Sequence, residues 1–501
     1  MSATPAPSVH EVRTQFETLL HSVVSDEAHR MTADTMERRL LQQILALGRS
    51  LFTLFLATRA AATAQGEHTG PDGVVRPYHS LRPRPYVSIF GVVRFARPYF
   101  YRAGAGGSIP VDAALSLPAT SCSDVVRETL EELGVERAYH KATGVLRHLL
   151  GLEVSTRMLA EQVAEDAPVV EAFCAQQTPP PVAEEEAILV LQADGKGVPI
   201  LRPARPTRRV RLGKGQKNGG KKEAILTGLY TIAPCVRTPE EVVESLFAET
   251  AAPAAPERAQ SRTGPQHKRL WVTLAGKDAA LAEVAPQVRA REGAHIVHRV
   301  ALTDGSIPLQ ERVQRYVPQM SLVLDLIHAT EYLWKAATAL LGETHPQRTA
   351  WVKARTLLLL QSHADQVGAE CTRLAQEPRR TRQQRKVLTS VAGYLQRNQP
   401  YMDYATYLAQ GWPIATGVIE GACRHLVKDR CELSGMRWTI DGAEALLHLR
   451  CVRENGDWEA FHAFRRHQRH TLLYAVPYPE LATAPELQVL AEVTPTLLPA
   501  A

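Results

Sequence analysis

The chain has 501 residues, a formal net charge of +6, 45% hydrophobic and 22% charged residues. This composition excludes a disordered or fibrous chain, gives ample length for buried cores in roughly two or three domains, and admits an anionic partner without requiring one. Seven cysteines are scattered without a Cys-x-x-Cys pair, which excludes a zinc ribbon and a disulfide framework and fits a reducing compartment. No leader of basic and then apolar residues is evident. The apolar stretch Leu45 to Thr63 carries Arg49 and Arg59, which argues against a bilayer span and for a cytoplasmic protein.

From Val9 to Thr63 the apolar residues recur at helical spacing (Val12, Phe16, Leu19, Leu20, then Leu40, Leu41, Ile44, Leu45, Leu47), so helices are expected that pack on each other or on a partner subunit. A polar stretch with Gly and Pro from Gln65 to Pro85 breaks the pattern. Tyr86 to Tyr101 alternates and predicts a small β-hairpin, with Arg94, Arg97 and Arg102 interleaved with Phe95, Tyr99 and Phe100; such a mixture suits either a solvated hairpin or a nucleic-acid surface. Helical spacing returns from Ser123 to Phe173. Within it His140 to Leu150, the turn Gly151-Leu152-Glu153-Val154 and Ser155 to Ala164 make a helix-turn-helix pattern with Ser155 as N-cap. Arg157 lies on the second helix, but Glu161, Glu165 and Asp166 weigh against base reading. The acidic, Pro-rich segment Gln176 to Glu186 predicts a domain boundary.

Strand patterns follow. Ala187 to Gln192 leads into Asp194-Gly195, a dipeptide that by itself marks a hairpin turn. Glu223 to Ile232 and Lys268 to Ala275 predict two more strands, and Thr250 to Gln266 a loop. Asp278 to Arg291 reads as a helix, His295 to Leu302 as a strand ending in Thr303-Asp304-Gly305, Pro308 to Tyr316 as a helix, and Ser321 to Leu324 as a strand ending in Asp325. This order is mixed α/β. Helical pattern fills Thr330 to Leu408, Gly411-Trp412-Pro413 interrupts it, and a last helical stretch from Val418 holds Glu420, Arg424 and Lys428.

Carboxylates at the ends of neighbouring strands can converge, and hard divalent cations such as Mg²⁺ or Mn²⁺ take oxygen ligands. Asp194 and Asp304, with Glu420 on a helix beside the sheet, form a candidate metal set for chemistry at a phosphodiester. Asp325 also ends a predicted strand, so Asp304 and Asp325 compete for the second position. Asp325 and His328 stand at i,i+3, where they fix a helix start or contact a phosphate. Arg424 and Lys428 follow Glu420 at i+4 and i+8, so all three are expected to share one helical face. Residues 202–222 hold nine Lys or Arg and no acid; Arg205, Arg208, Arg209, Arg211, Lys214, Lys217, Lys221 and Lys222 there are candidate phosphate contacts.

The order Asp194-Gly195, Thr303-Asp304-Gly305, Asp325-x-x-His328-x-x-x-Tyr332-Leu333-Trp334 and Gly417-Val418-Ile419-Glu420 resembles the DDE transposases of bacterial insertion sequences, in particular the Kra-type family related to the Mutator-like group. Gly435-Met436-Arg437-Trp438, Gly442-Ala443-Glu444, Leu449-Arg450 and Asn455-Gly456-Asp457-Trp458 extend the resemblance, which covers Tyr86 to about Phe464. It implies an RNase H-like core interrupted by an all-helical insertion, with Asp194, Asp304 and Glu420 as metal-binding acids and Asp325 and His328 as an auxiliary pair. It also implies Mg²⁺-dependent cleavage at element ends, strand transfer into target DNA, recognition of terminal inverted repeats on double-stranded DNA, and a homo-oligomer at the bacterial nucleoid. Members often carry a cysteine pair after the hairpin; Tyr101 to Gly106 has none. An RNase H-like nuclease that cuts without joining, and a DNA-binding protein with a dead core, are the alternatives. The expected layout is an N-terminal helical region (1–85), a hairpin and helix-turn-helix region (86–175), the first part of the core (187–329), the helical insertion (330–410), the last part of the core (411–473) and a disordered tail (474–501).

Overall fold

The computed structural model describes residues 6–64, 66–201, 220–248 and 264–479. Arg205, Arg208, Arg209, Arg211, Lys214 and Lys217, most of the Ala/Pro-rich loop and most of the tail lie outside the described residues. The chain folds as two compact units, one of Met1–Gly134, Tyr139–Leu159 and Glu459–Ala501, the other of Val135–Ala138 and Ala160–Trp458.

In the first unit, α1 (Val9–Val23) starts at a Ser8 capping box closed by Glu11, and Thr32 caps the thirty-residue α2 (Ala33–Ala62). By length and composition α2 is apolar enough to cross a bilayer, contrary to the expectation from Leu45 to Thr63. Its Phe52, Leu56 and Ala60 pack against Tyr86, Val93 and Phe95. A four-stranded antiparallel sheet runs in the order β1 (Glu67–Thr69), β2 (Val75–Ser88), β3 (Gly91–Arg102), β4 (Gly106–Ser108). The hairpin is therefore longer than predicted and occupies the stretch expected to be a break. Pro83 and Pro85 share a parity in β2, where β3 is the only neighbour, so their missing N–H groups fall on the open side. Phe95 and Phe100 belong to the core and Arg97 pairs with Asp112, which takes them out of the proposed stacking surface. Short α3 (Pro110–Ala114) follows, then α4 (Asp124–Glu136), α5 (Tyr139–Leu150) and the start of α6 (Thr156–Cys174), which from Ala160 on belongs to the second unit. Ser155 caps α6, its Oγ accepting from Met158 N at 3.1 Å. Helix α6 continues past Ala164 to Cys174.

The second unit is built on a five-stranded sheet in the order β7-β6-β5-β8-β9: β5 (Ile188–Pro199), β6 (Lys221–Ile232), β7 (Gln266–Thr273), β8 (His298–Thr303) and β9 (Ser321–Leu324). Between β6 and β7 lies α7 (Pro239–Leu246). Strand β6 is antiparallel to β5 and β7, while β5, β8 and β9 are parallel. Leu189, Leu191 and Ala193 face α8 (Lys277–Ala290) and α9 (Ile307–Tyr316). Ile188 and Val190 face α10 (Leu326–Leu341), α11 (Arg348–Leu360), α12 (Ala364–Gln376), α13 (Arg382–Asn398) and α14 (Tyr404–Ala409). Burial on both faces is why the strand reads as a nearly unbroken apolar run.

All five predicted strands are present, but β5 differs in one respect. Asp194-Gly195 is not a turn: pairing with β6 continues to Pro199↔Lys221. A Cβ on Gly195 would stand 2.6 Å from the Glu223 side chain, and one on Gly197 3.1 Å from Lys221. These glycines serve close strand packing rather than reversal. The segment Gln176 to Glu186 is likewise not a boundary but lies inside the second unit. The Glu185 side chain is buried there, accepting from Arg291 Nε at 2.5 Å and from His295 Nε2 at 3.1 Å.

After α15 (Gly417–Ala422) the helix passes through a π turn, Cys423–Lys428, before a last α turn, α16 (Asp429–Cys431). The wider π turn breaks the i,i+4,i+8 alignment expected for Glu420, Arg424 and Lys428. Helices α17 (Ile440–Glu454) and α18 (Trp458–Tyr474) complete the chain. The motif residues near the C-terminus secure β7: Glu444 accepts from Leu274 N at 2.5 Å, and Asn455 exchanges hydrogen bonds with the Leu270 backbone at 2.8 and 3.0 Å. Replacing Arg291 by Met leaves the Glu185 carboxylate with His295 as its remaining partner and should lower stability by about 3 kcal/mol, read as a fall in the urea midpoint; a freely mobile segment at Glu185 would give no change.

Candidate active site

Register places the acids. Gln192 pairs with Leu302 on β8, so two residues further on Asp194 is level with Asp304. Thr303 pairs with Leu324 on β9, so Asp304 is in turn level with Asp325. Neighbouring strands run about 4.8 Å apart. Val190 and Leu302 both belong to the core on the α10–α14 side, and the two-residue period carries Asp194 and Asp304 to that same face. Strand β8 ends at Thr303, so beside Asp194 the sheet is open just where two carboxylates face one space.

Both aspartates are half-buried. Asp194 Oδ1 accepts from Gly195 N at 2.6 Å, and its Oδ2 accepts from the Cys423 thiol at 3.4 Å. Burial, and then the Asp194 carboxylate, push the Cys423 thiol up, so it stays a neutral donor rather than a thiolate ligand. Asp304 Oδ1 accepts from Ser306 N at 2.9 Å, and the Tyr394 hydroxyl donates to the Asp304 carbonyl at 3.1 Å. Tyr394 is itself stacked on Tyr332, ring centroids 3.7 Å apart. Burial raises the Asp304 carboxyl, and Asp194 raises it further; the Ser306 amide, His328 and Lys277 oppose this.

Asp325 is fully buried and has a different environment. Its Oδ1 accepts from Ile327 N at 3.1 Å and Thr416 N at 3.3 Å; its Oδ2 accepts from His328 Nδ1 at 2.5 Å and Thr416 Oγ1 at 2.7 Å. Four bonds take up the acceptor sites of a carboxylate. Asp325, His328 and Glu420 form one group of acidic and imidazole side chains that stand within 4.8 Å of one another. Saturation of Asp325 makes that trio a hydrogen-bonded clamp rather than a cation site. The Asp325 bond raises His328 to about 9, so its Nδ1 carries a proton at neutral pH.

Glu420 is exposed on α15, its Oε1 3.3 Å from Thr416 Oγ1 and 4.0 Å from His328 Nδ1. Gln192 sets the pose of this helix. It is fully buried; its Oε1 accepts from Ile419 N at 2.9 Å, and its Nε2 donates to Tyr230 Oη at 2.9 Å and the Ala415 carbonyl at 3.3 Å. The strand carrying Asp194 thus supplies a cap to the helix carrying Glu420. Sequence reasoning passed over Gln192, although it is the one polar residue between Ile188 and Ala193. Thr416 and Cys423 gave no signal. Arg424 is exposed with Asp429 at 3.8 Å, Lys428 is exposed, Lys221 pairs with Glu432, and Lys222 is half-buried in β6; these cations are not gathered around the acids.

No family model matches the chain, and no curated protein matches it.

The raised His328 value has a stability consequence with a defined sign. The His328–Asp325 contribution is complete below the ordinary imidazole value of 6.5 and is lost as pH rises through about 9. Between those limits the protein should lose on the order of 2 kcal/mol, and His328→Gln should flatten that part of the profile. Urea unfolding with a chelator present measures it, and ring-carbon NMR should find His328 protonated at pH 8.

Proposed function

We propose that the second unit is a DDE-type centre on an RNase H-like core, which cleaves DNA strands at element ends and joins them to target DNA. The observation that carries this reading is the level placement of Asp194 and Asp304 at the open carboxyl end of parallel strands, with the helix that bears Glu420 fastened to the strand of Asp194 by Gln192. The mixed sheet, and the helical excursion α10–α14 between the second acid and the glutamate, support it. The donors suit a hard divalent cation: they are oxygens only, and Asp194 raises the Asp304 carboxyl by like-charge repulsion that a cation would relieve. Asp194, Asp304 and Glu420 would hold Mg²⁺ or Mn²⁺, which when bound stabilises the attacking and leaving oxygens of displacement at phosphorus.

The chain's own groups have separable tasks in this reading. Asp325 and Thr416 position His328 and Glu420. The protonated His328 offers positive charge to a phosphate oxygen. Gln192 and the Tyr332–Tyr394 stack hold the Glu420 helix and the Asp304 backbone. Arg205, Arg208, Arg209, Arg211, Lys214, Lys217, Lys221 and Lys222, with Arg424 and Lys428, would contact DNA phosphates, and the first unit would recognise terminal inverted repeats. Cytoplasmic action on the bacterial nucleoid by a homo-oligomer belongs to the same proposal.

Duplex cleavage and transfer of a pre-cut 3′ end test it with the full-length chain and Mg²⁺ or Mn²⁺. Asp194→Asn, Asp304→Asn and Glu420→Gln should each lower both activities by at least about a thousandfold, while DNA binding persists. Mn²⁺ should raise the Tm of the wild type and of Asp325→Asn but not of Asp194→Asn or Asp304→Asn; a response in Asp304→Asn with none in Asp325→Asn would assign the second metal position to Asp325. Cleavage without transfer would identify a nuclease, and binding without either a dead core. Arg208, Arg209 and Arg211 changed together to Ala should reduce the slope of log affinity against log salt by about 3.

A further inference from the structure

Helix α2 meets the hairpin on one side and α1 near its start on another, and a further stripe of its surface stays open. Phe52, Leu56 and Ala60 face the hairpin, while Leu41, Ile44, Leu51 and Phe55 remain 44%, 53%, 50% and 49% exposed. With Gly48 these four step along the helix at intervals of three, four, three and four, the spacing of a coiled-coil seam. Gly48 leaves room for the Phe90 ring, whose nearest atom would stand 2.6 Å from a Cβ there. The half-buried Phe90 therefore fills the middle of the seam with an apolar group.

We propose that this seam pairs with the same seam of a second copy of the chain, the two α2 helices running antiparallel about a twofold axis at Gly48. The charges select this direction. Asp34 is engaged by Arg38 and Glu27 by Arg39. Glu37 and Arg59 lie on the two extensions of the apolar line, equally far from Gly48 in sequence. An antiparallel pair sets Glu37 against the partner's Arg59 twice, and Leu41 against the partner's Phe55. A parallel pair sets Glu37 on Glu37 and Arg59 on Arg59. Antiparallel helix dipoles favour the same choice. Half-exposed Leu, Ile and Phe side chains, with Phe90, Glu37 and Arg59, would bury roughly 600 Å² per copy, the lower end of the range for specific interfaces. The association should therefore depend on concentration in the micromolar range. The surface lies wholly in the first unit and does not depend on the catalytic reading.

Sedimentation equilibrium of the full chain between about 1 and 100 μM should show a monomer–dimer transition. Glu37→Arg or Arg59→Glu alone should weaken it at least about tenfold, because two symmetric attractions become repulsions, and the double reversal should restore it. Leu51→Glu with Phe55→Glu should give a folded monomer by circular dichroism. A monomeric wild type overturns the proposal, as does insensitivity to the single reversals or failure of the double to rescue. Co-sedimentation of the wild type with phosphatidylcholine vesicles, lost in Leu51→Glu with Phe55→Glu, would instead assign the seam to a bilayer and also overturn it.

Discussion

A helical excursion of about ninety residues leaves the sheet at Asp325 and returns to it at Thr416, and the two ends are hydrogen-bonded to each other. Asp325 accepts from both the amide and the hydroxyl of Thr416, and Leu326 N donates to the Ile414 carbonyl at 2.9 Å. Closing so long a loop costs entropy that grows only slowly with its length, so the local bonds and the packing of α10–α14 on the sheet suffice to hold it shut. Without that closure Glu420 would have no fixed relation to the strands. With it, four residues past Thr416 is a determined place.

The second fastening comes from the opposite direction. Gln192 reaches from β5 to the first turn of α15 and satisfies a helix amide that no side chain of the preceding loop caps. Asp325 and Gln192 are both fully buried polar groups, and each spends part of its hydrogen-bonding capacity on the segment bearing Glu420. Buried polar groups of this kind rigidify what they join, because an unpaired state is costly. Glu420 itself stays exposed, and Asp194 and Asp304 stay half-buried, which leaves acidic oxygens free on an ordered frame. The same accounting separates Asp304 from Asp325 although both follow parallel strands at the same level: one retains open acceptor sites and the other does not.

The π turn immediately after α15 has a consequence for charge. A regular helix would align Arg424 and Lys428 with Glu420; the extra residue in the turn moves them away, and Arg424 meets Asp429. The cations whose charge reaches Asp304 are instead His328 and Lys277, which oppose the rise of its carboxyl.

Strand and helix identities in the second unit were legible because period-two and period-3.6 patterns are local properties, and so was the pairing of an Asp at each parallel strand end. The N-cap role of Asp325 and its pairing with His328 were readable from their spacing of three. The continuation of β5 through Asp194-Gly195 was not, since a turn and a close strand crossing ask for the same glycine and only the Glu223 and Lys221 side chains of β6 decide between them. Nor were the strands hidden among the prolines of β2, whose tolerance depends on having one open side. Gln192, Thr416 and the π turn act between residues up to 227 positions apart, and a contact at that separation leaves no periodicity in the chain. Sequence alone determined the strands and helices of the second unit in outline and which carboxylates are candidates. Tertiary structure decided which of those carboxylates keep free oxygens, because that depends on donors delivered by segments distant in sequence.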